Sequence, residues 1–283
     1  MAQRKHSVFS VVLGVIGELL ITAGVLIGLF IVWQVWYTDI AANKLQAETV
    51  EKTVKEWGEP PALKIGKPQY TDPHIKDAKP KKGEILGIMR IPAFGYGFEY
   101  TIREGVDMES ILDKGNFGKY ANTAMPGQVG NFSTAAHRQT FGAPMRNVAE
   151  LKDGDPIVVE TKDKYLVYRV TTADLIVDPS KVEVVAPDPY KAIADHNPNS
   201  EGALNPTRRL LTITTCHPPF VSNERWIIHA ELDHWVDRAD GRPIEIVDPQ
   251  EVPKDYKGPK PLSPSNLSTR TIDAQGAPQS KES

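Results

Sequence analysis

One apolar run dominates the start of this chain and limits what it can become. From Val8 to about Val35 it is almost unbroken Val, Leu, Ile, Gly, Ala and Phe. A helix needs roughly 20 such residues to cross a bilayer, and this run exceeds that. A secretory leader has an apolar core of only about 7–15 residues, and no small-x-small cleavage site follows. The run therefore reads as an uncleaved anchor over 8–37. Arg4 and Lys5 precede it and Asp39 follows. The positive-inside rule then puts residues 1–7 in the cytoplasm and everything beyond Tyr37 outside the cell membrane. Trp33, Trp36 and Tyr37 suit the outer interface, where amphipathic rings settle. Glu18 interrupts the run. It either pairs with a partner helix or, more simply, sits protonated or locally hydrated on a single anchor helix.

Beyond the anchor, Asp39 to Trp57 is rich in Ala, Lys, Glu, Gln and Leu without Gly or Pro. It predicts a juxtamembrane helix polar enough to be a stalk. Gly58 and Pro60-Pro61 end it, and the Pro- and Lys-rich stretch to residue 82 predicts an extended linker. Residues 83–249 change texture to short apolar or alternating runs between turn residues. Strands are expected at Ile85–Ile91, Glu99–Ile102, Asn131–Ala136, Ile157–Thr161, Tyr165–Thr171, Leu175–Val177, Glu183–Val185, Leu210–Thr215 and Arg225–Leu232. Met108–Leu112 and Lys191–Ile193 suggest short helices. So many short strands argue for one all-β domain, a closed barrel or sandwich. Residues 250–283 have little to bury, which predicts a disordered tail. The net charge of -3 and the lack of a dense Lys/Arg block argue against a nucleic-acid partner.

The only cysteine, Cys216, lies on the extracellular side, where cysteines usually pair. It is buried and inert, linked between chains, or kept as a reactive thiol. Strand alternation favours the last. Thr212, Thr214 and Cys216 share one face, while Leu211 and Ile213 take the other. The thiol thus sits on the polar side, at the strand's mouth, before Pro218-Pro219. The run from Arg225 splits the same way. Trp226, Ile228, Ala230 and Leu232 face one side, and Arg225, Ile227, His229 and Glu231 the other. If the two strands are neighbours, Arg225 faces the same groove as Cys216, and its fixed donors suit an oxyanion. A cysteine nucleophile needs a basic or cationic partner. His137, at a strand end, is a candidate. His217 adjoins Cys216 and so points away, and His229 is held in reserve.

Thr212-Ile213-Thr214-Thr215-Cys216 resembles the sortase T-L-x-T-C signature, with Ile213 in place of Leu. Ala136-His137-Arg138 is similar to the segment around the sortase histidine, and Asn223 to Ile228 to its arginine motif. The resemblance covers about Gly83 to Leu232. It implies a closed eight-stranded β-barrel with short helices and a groove between strands. Cys216 would form a thioacyl intermediate after the Thr of a C-terminal L-P-x-T-G-type sorting motif. His137 would act as acid and base and Arg225 would steady the carbonyl, with no cofactor or metal. Partners would be proteins bearing the motif, and an amine of a peptidoglycan (lipid II type) precursor or a pilin lysine. Pro126 to Phe132 and Thr207 to Leu211 look like class E sortases, housekeeping enzymes of high-GC Gram-positive bacteria that prefer L-A-x-T-G. Tyr120 stands where that class carries a tyrosine linked to the preference, and Thr214 and Thr215 are further candidate substrate contacts.

Three other readings stay open at this point. Class C pilin-polymerising sortases carry a D-P-[FWY] lid, but here Asp72-Pro73 precedes His74. L,D-transpeptidases place H-G before the cysteine, unlike Thr214-Thr215. A non-enzymatic, anchored wall-binding β-domain would leave the thiol unreactive.

Overall fold

The computed structural model describes residues 8–33, 37–61, 64–252, 254 and 256–258. The expected cytoplasmic segment, Trp36 and most of the expected tail lie outside these residues.

Helix α1 (Val8–Val32) is apolar nearly all round, Glu18 being its one charged residue, and its stretch Val11–Val32 is long and apolar enough to cross a membrane, with none of it buried against protein. That fits a single-pass anchor, because a helix hydrophobic all round needs an apolar surrounding. Helix α2 (Thr38–Trp57) follows. It differs from a stalk standing clear of the domain. Asp39, Ala42, Gln46, Val50 and Thr53 recur at helical spacing and are buried against the barrel. The buried stripe is mostly polar, so it is held by hydrogen bonds. Gln46 Nε2 donates to the Lys114 carbonyl at 2.7 Å, and its Oε1 accepts from the Thr101 amide at 2.9 Å.

The strands are β1 (Ile85–Arg90), β2 (Tyr100–Glu104), β3 (Phe117–Lys119), β4 (Gly130–Ala135), β5 (Pro156–Glu160), β6 (Lys164–Val177), β7 (Arg209–His217) and β8 (Glu224–Asp237). They close into a barrel in the order β1-β2-β3-β4-β7-β8-β6-β5. The pairs β2–β3 and β4–β7 are parallel and the rest antiparallel. The interior holds Met89, Ile102, Phe117, Phe132, Leu166, Tyr168, Leu211, Ile213, Ile228 and Ala230. Closure leaves no open sheet edge, so backbone groups pair all the way round.

Two expected strands, Tyr165–Thr171 and Leu175–Val177, are one strand, β6. Register shifts between Val170 and Leu175 break its alternation. Glu183–Val185 is no strand: Val182–Val185 forms a 3-10 turn in the long β6–β7 connection. That connection, with α3 (Pro189–Ala194) and α4 (Glu201–Leu204), covers part of the outer face of β4 and β7. Asn131 on β4 donates through Nδ2 to the Ala186 carbonyl at 2.9 Å. Both faces of β4 are therefore buried, which explains its almost uniformly buried sequence.

The Pro-rich linker is extended but fastened. Gln69 exchanges backbone hydrogen bonds with Trp235 at 2.8 and 3.0 Å, and Gly66 donates to the Arg242 carbonyl at 2.8 Å. Gly241, at φ 122°, abuts the Lys64 backbone, leaving no room for a Cβ.

Candidate active site

Cys216 and Arg225 are a directly paired couple across β7 and β8, next to Thr214–Ile227 and Thr212–His229 in the same register. The neighbour relation that alternation needed is present, so these six residues share the barrel's outer face. Cys216 is partly exposed, as befits a strand end open to solvent. The guanidinium of Arg225 donates from Nη1 to the Ser222 and Glu224 carbonyls at 3.0 and 2.9 Å. These bonds fix it at the mouth of the β7–β8 loop.

His137 lies two residues past the end of β4, the strand beside β7. Its Nε2 is 2.8 Å from Asp113 Oδ1, and its ring lies 5.6 Å from that of Phe141. Asp113 sits in the 3-10 turn Leu112–Lys114 before β3. No periodicity marks that turn, and sequence reasoning missed Asp113. The loop after His137 is tightly wound. Thr140, Phe141, Gly142 and Ala143 all have positive φ, a left-handed run that only Gly142 adopts without steric cost. Helix α2 holds it in place: Asp39 accepts from the Gly142 amide at 2.9 Å and pairs with Arg146.

Tyr120 lies just past β3, and its hydroxyl meets Thr214 Oγ1 at 2.7 Å. It therefore reaches the Cys216 face one alternation further in. Thr215 does not reach that face. Its side chain is buried, with Oγ1 donating to the Ala136 carbonyl at 2.8 Å, so its hydroxyl ties β7 to the His137 segment. A contact to substrate is not its position.

Arg138 was also missed. Alternation from His137 sends it away from the groove, yet its Nη1 is 2.7 Å from His217 Nδ1 and 3.4 Å from the Cys216 carbonyl. The guanidinium stacks 4.9 Å above the Trp226 ring. Burial pushes its pKa below the usual range. It props the end of β7 from the side opposite the thiol, and it occupies His217, which is thereby out of the groove as expected.

His229, the reserve histidine, is a core residue. Asn131 donates through Nδ2, so its Oδ1 is the acceptor for the Thr212 hydroxyl at 2.9 Å. That hydroxyl has spent its proton, so the contact at 2.9 Å to His229 Nδ1 requires Nδ1–H to donate. Nε2 is then a bare lone pair, buried without a partner. Burial pushes the pKa of His229 down to about 4. The Tyr190 ring, 5.3 Å away, seals it from solvent.

Cavities of about 660 and 620 Å³ lie beside α2 and at the far end of the barrel, and neither is lined by Cys216. The candidate site instead lies on the outer wall of the barrel, at the loop end of β7 and β8.

The sortase domain family matches residues 89–233. Sortase SrtE1 of Streptomyces coelicolor is 34% identical over 251 residues, covering 86% of this chain and 64% of the relative. The chain thus spans slightly less than two thirds of that relative's length. Sortase SrtE2 of the same organism is 32% identical over 237 residues, covering 81% of this chain and 85% of the relative. The solved SrtA sortase from Actinomyces oris has a TM-score of 0.56 at 35% identity, covering 64% of this chain and 96% of that one. The closed barrel and these matches, taken together, place the chain in the sortase family, most like its class E.

Proposed function

We propose that this chain is a membrane-anchored cysteine transpeptidase that cuts a C-terminal L-A-x-T-G or L-P-x-T-G sorting motif between Thr and Gly. The protein is then joined to an amine of a cell-wall precursor of lipid II type. The observation that supports this most is the direct pairing of Cys216 with Arg225 on an open strand face, with His137 at the end of the adjoining strand.

The Cys216 thiolate attacks the Thr carbonyl carbon. Arg225 spends only Nη1 on its own loop, which leaves the N–H groups of Nε and Nη2 for the tetrahedral oxyanion. The C–N bond breaks as His137 gives a proton to the departing Gly amine, leaving a thioester on Sγ. The incoming amine loses its proton to His137, attacks the thioester and releases the thiolate. Donation of Nε2–H to Asp113 leaves Nδ1 as the nitrogen that exchanges these protons, and makes Asp113 a positioning residue. Tyr120 and Thr214 line the groove beside the thiol and read the second motif residue.

Full-length protein in detergent, given both peptides with hydroxylamine, should cleave them and form the hydroxamate. Alkylation or Cys216→Ala should abolish turnover, and His137→Ala or Arg225→Ala nearly so. Turnover that survived all of these would refute the assigned roles. The sole thiol also reports orientation, since a membrane-impermeant maleimide should label intact cells at Cys216 if the barrel is outside.

A further inference from the structure

Helix α2 determines which end of the barrel is tethered. Its contacts run in sequence order along the barrel wall. Thr38 accepts from the Phe141 amide at 3.5 Å and Asp39 from the Gly142 amide, both in the loop after His137. Asn43 meets the Tyr100 hydroxyl at the start of β2, and Gln46 meets Thr101 and Asn116 further along. The carbonyl of Gly58, one residue past the helix, accepts from Arg238, one residue past β8. A helix of 20 residues is about 30 Å long, so α2 spans the barrel's height with its first turn at the Cys216 end. Only Trp33 to Tyr37 separate Val32 of α1 from Thr38. Those six steps reach at most about 20 Å even fully extended. Within them, the Trp33 and Tyr37 rings stack at 6.2 Å, a pair suited to the membrane interface.

The same end carries an apolar projection. The β7–β8 loop presents Phe220 and Val221, 78% and 64% exposed. Phe220 and Ser222 hold positive φ, and the Phe220 amide donates to Gln139 Oε1 at 2.7 Å. The loop is therefore strained outward and tied to the segment that α2 grips, rather than folded onto the core. Ile176 is exposed beside it and pairs in register with Trp226, and Val182 is exposed just beyond the end of β6.

We propose that Phe220 and Val221 insert into the near leaflet of the bilayer that α1 spans, so that the Cys216 groove is docked at the membrane surface. The docking rests on α1 being the anchor, and not on the identity of the substrate. Lipid is the occupant because the tether holds this end, and not the opposite one, within reach of the interface.

The test uses the full chain in a Cys216→Ala background, reconstituted in phosphatidylcholine–phosphatidylglycerol vesicles. Single nitroxides are placed at Leu20→Cys in α1, at Phe220→Cys or Val221→Cys in the loop, and at Lys162→Cys in the exposed turn of the opposite end. Collision with oxygen and with a water-soluble nickel chelate reports immersion depth. Labels at 220 and 221 should be at least threefold better shielded from nickel than the label at 162, with label 20 deeper still. If label 20 is immersed while 220 and 221 are as nickel-accessible as 162, the docking is overturned and the anchor stands. A water-exposed label at 20 overturns both.

Discussion

His229 gives the sharpest quantitative test of how the outer face of β7 and β8 is divided. Its ring is neutral in the fold, with a pKa pushed from an ordinary 6.5 down to about 4 by burial alone. Protonation would place a second N–H in a site where Nε2 has no acceptor. Above pH 6.5 folded and unfolded chains both keep the ring neutral, and it makes no pH-dependent contribution. As pH falls the unfolded chain takes up the proton first, so stability declines. At about 1.4 kcal/mol per pH unit the loss reaches about 2 kcal/mol at pH 5 and levels off near about 3 kcal/mol below pH 4. His229→Asn keeps an amide N–H where Nδ1–H donates to Thr212, but it cannot titrate. Urea unfolding of both proteins in detergent, followed by Trp fluorescence from pH 4 to pH 8, isolates the difference. The wild type should lose about 2–3 kcal/mol relative to the variant on going from pH 7.5 to 4.2. A gap between the two that stays constant across this range would refute the buried, neutral assignment. The same variant should retain turnover under the proposed roles, in which the acid–base group is His137 and not His229.

Three further outcomes follow from individual contacts. Asp113→Ala frees the His137 ring and should lower kcat by up to about 100-fold with little change in KM, while Asp113→Asn, which still offers an acceptor oxygen, should recover much of the loss. Gln46→Ala strands the buried Thr101 amide and should cost about 1–3 kcal/mol, read as a lower urea midpoint. Gly241→Ala forces a Cβ into the Lys64 backbone and should release the linker, seen as faster tryptic cleavage at Lys64 while the barrel stays intact.

Alternation carried the sequence a long way on β7 and β8, because each strand has one apolar and one polar face, and a period of two cannot be mistaken for anything else. It placed Cys216 and Arg225 on one side, and the pairing register brings them opposite each other. Alternation says nothing of depth, however. His229 shares the face of Arg225 but lies under Tyr190 and the β6–β7 connection, a cover contributed by residues far away in sequence. Asp113 was invisible for a related reason: its 3-10 turn meets His137 through the fold, with no local pattern to announce it. The docking of α2 was hidden because its buried stripe includes Asp39, Gln46 and Thr53, which hydropathy counts as solvent-facing. Val182–Val185 misled in the opposite direction, since its valine-rich composition favours strand while its place in the covering connection allows only a turn.

The polar cluster at Asn131, Thr212 and His229 also bears on the thiol, although it never touches it. A slip of β7 by one residue would turn every side chain to the other face and carry Cys216 toward the Arg138 side. Apolar contacts alone resist such a slip weakly where Leu and Ile abound on both strands. The cluster resists it strongly, because Thr212 must meet Asn131 on β4 and His229 on β8 at once. Losing that match would bury several unpaired polar groups at about 1–3 kcal/mol each. The bare Nε2 of His229 is a smaller cost of the same arrangement. Strand β8 then extends this alignment to the far end of the barrel, where Trp235 holds the linker and Arg238, just beyond the strand, holds the end of α2. The position of Cys216 on the barrel wall and the far end of α2 are thus fixed along a single strand.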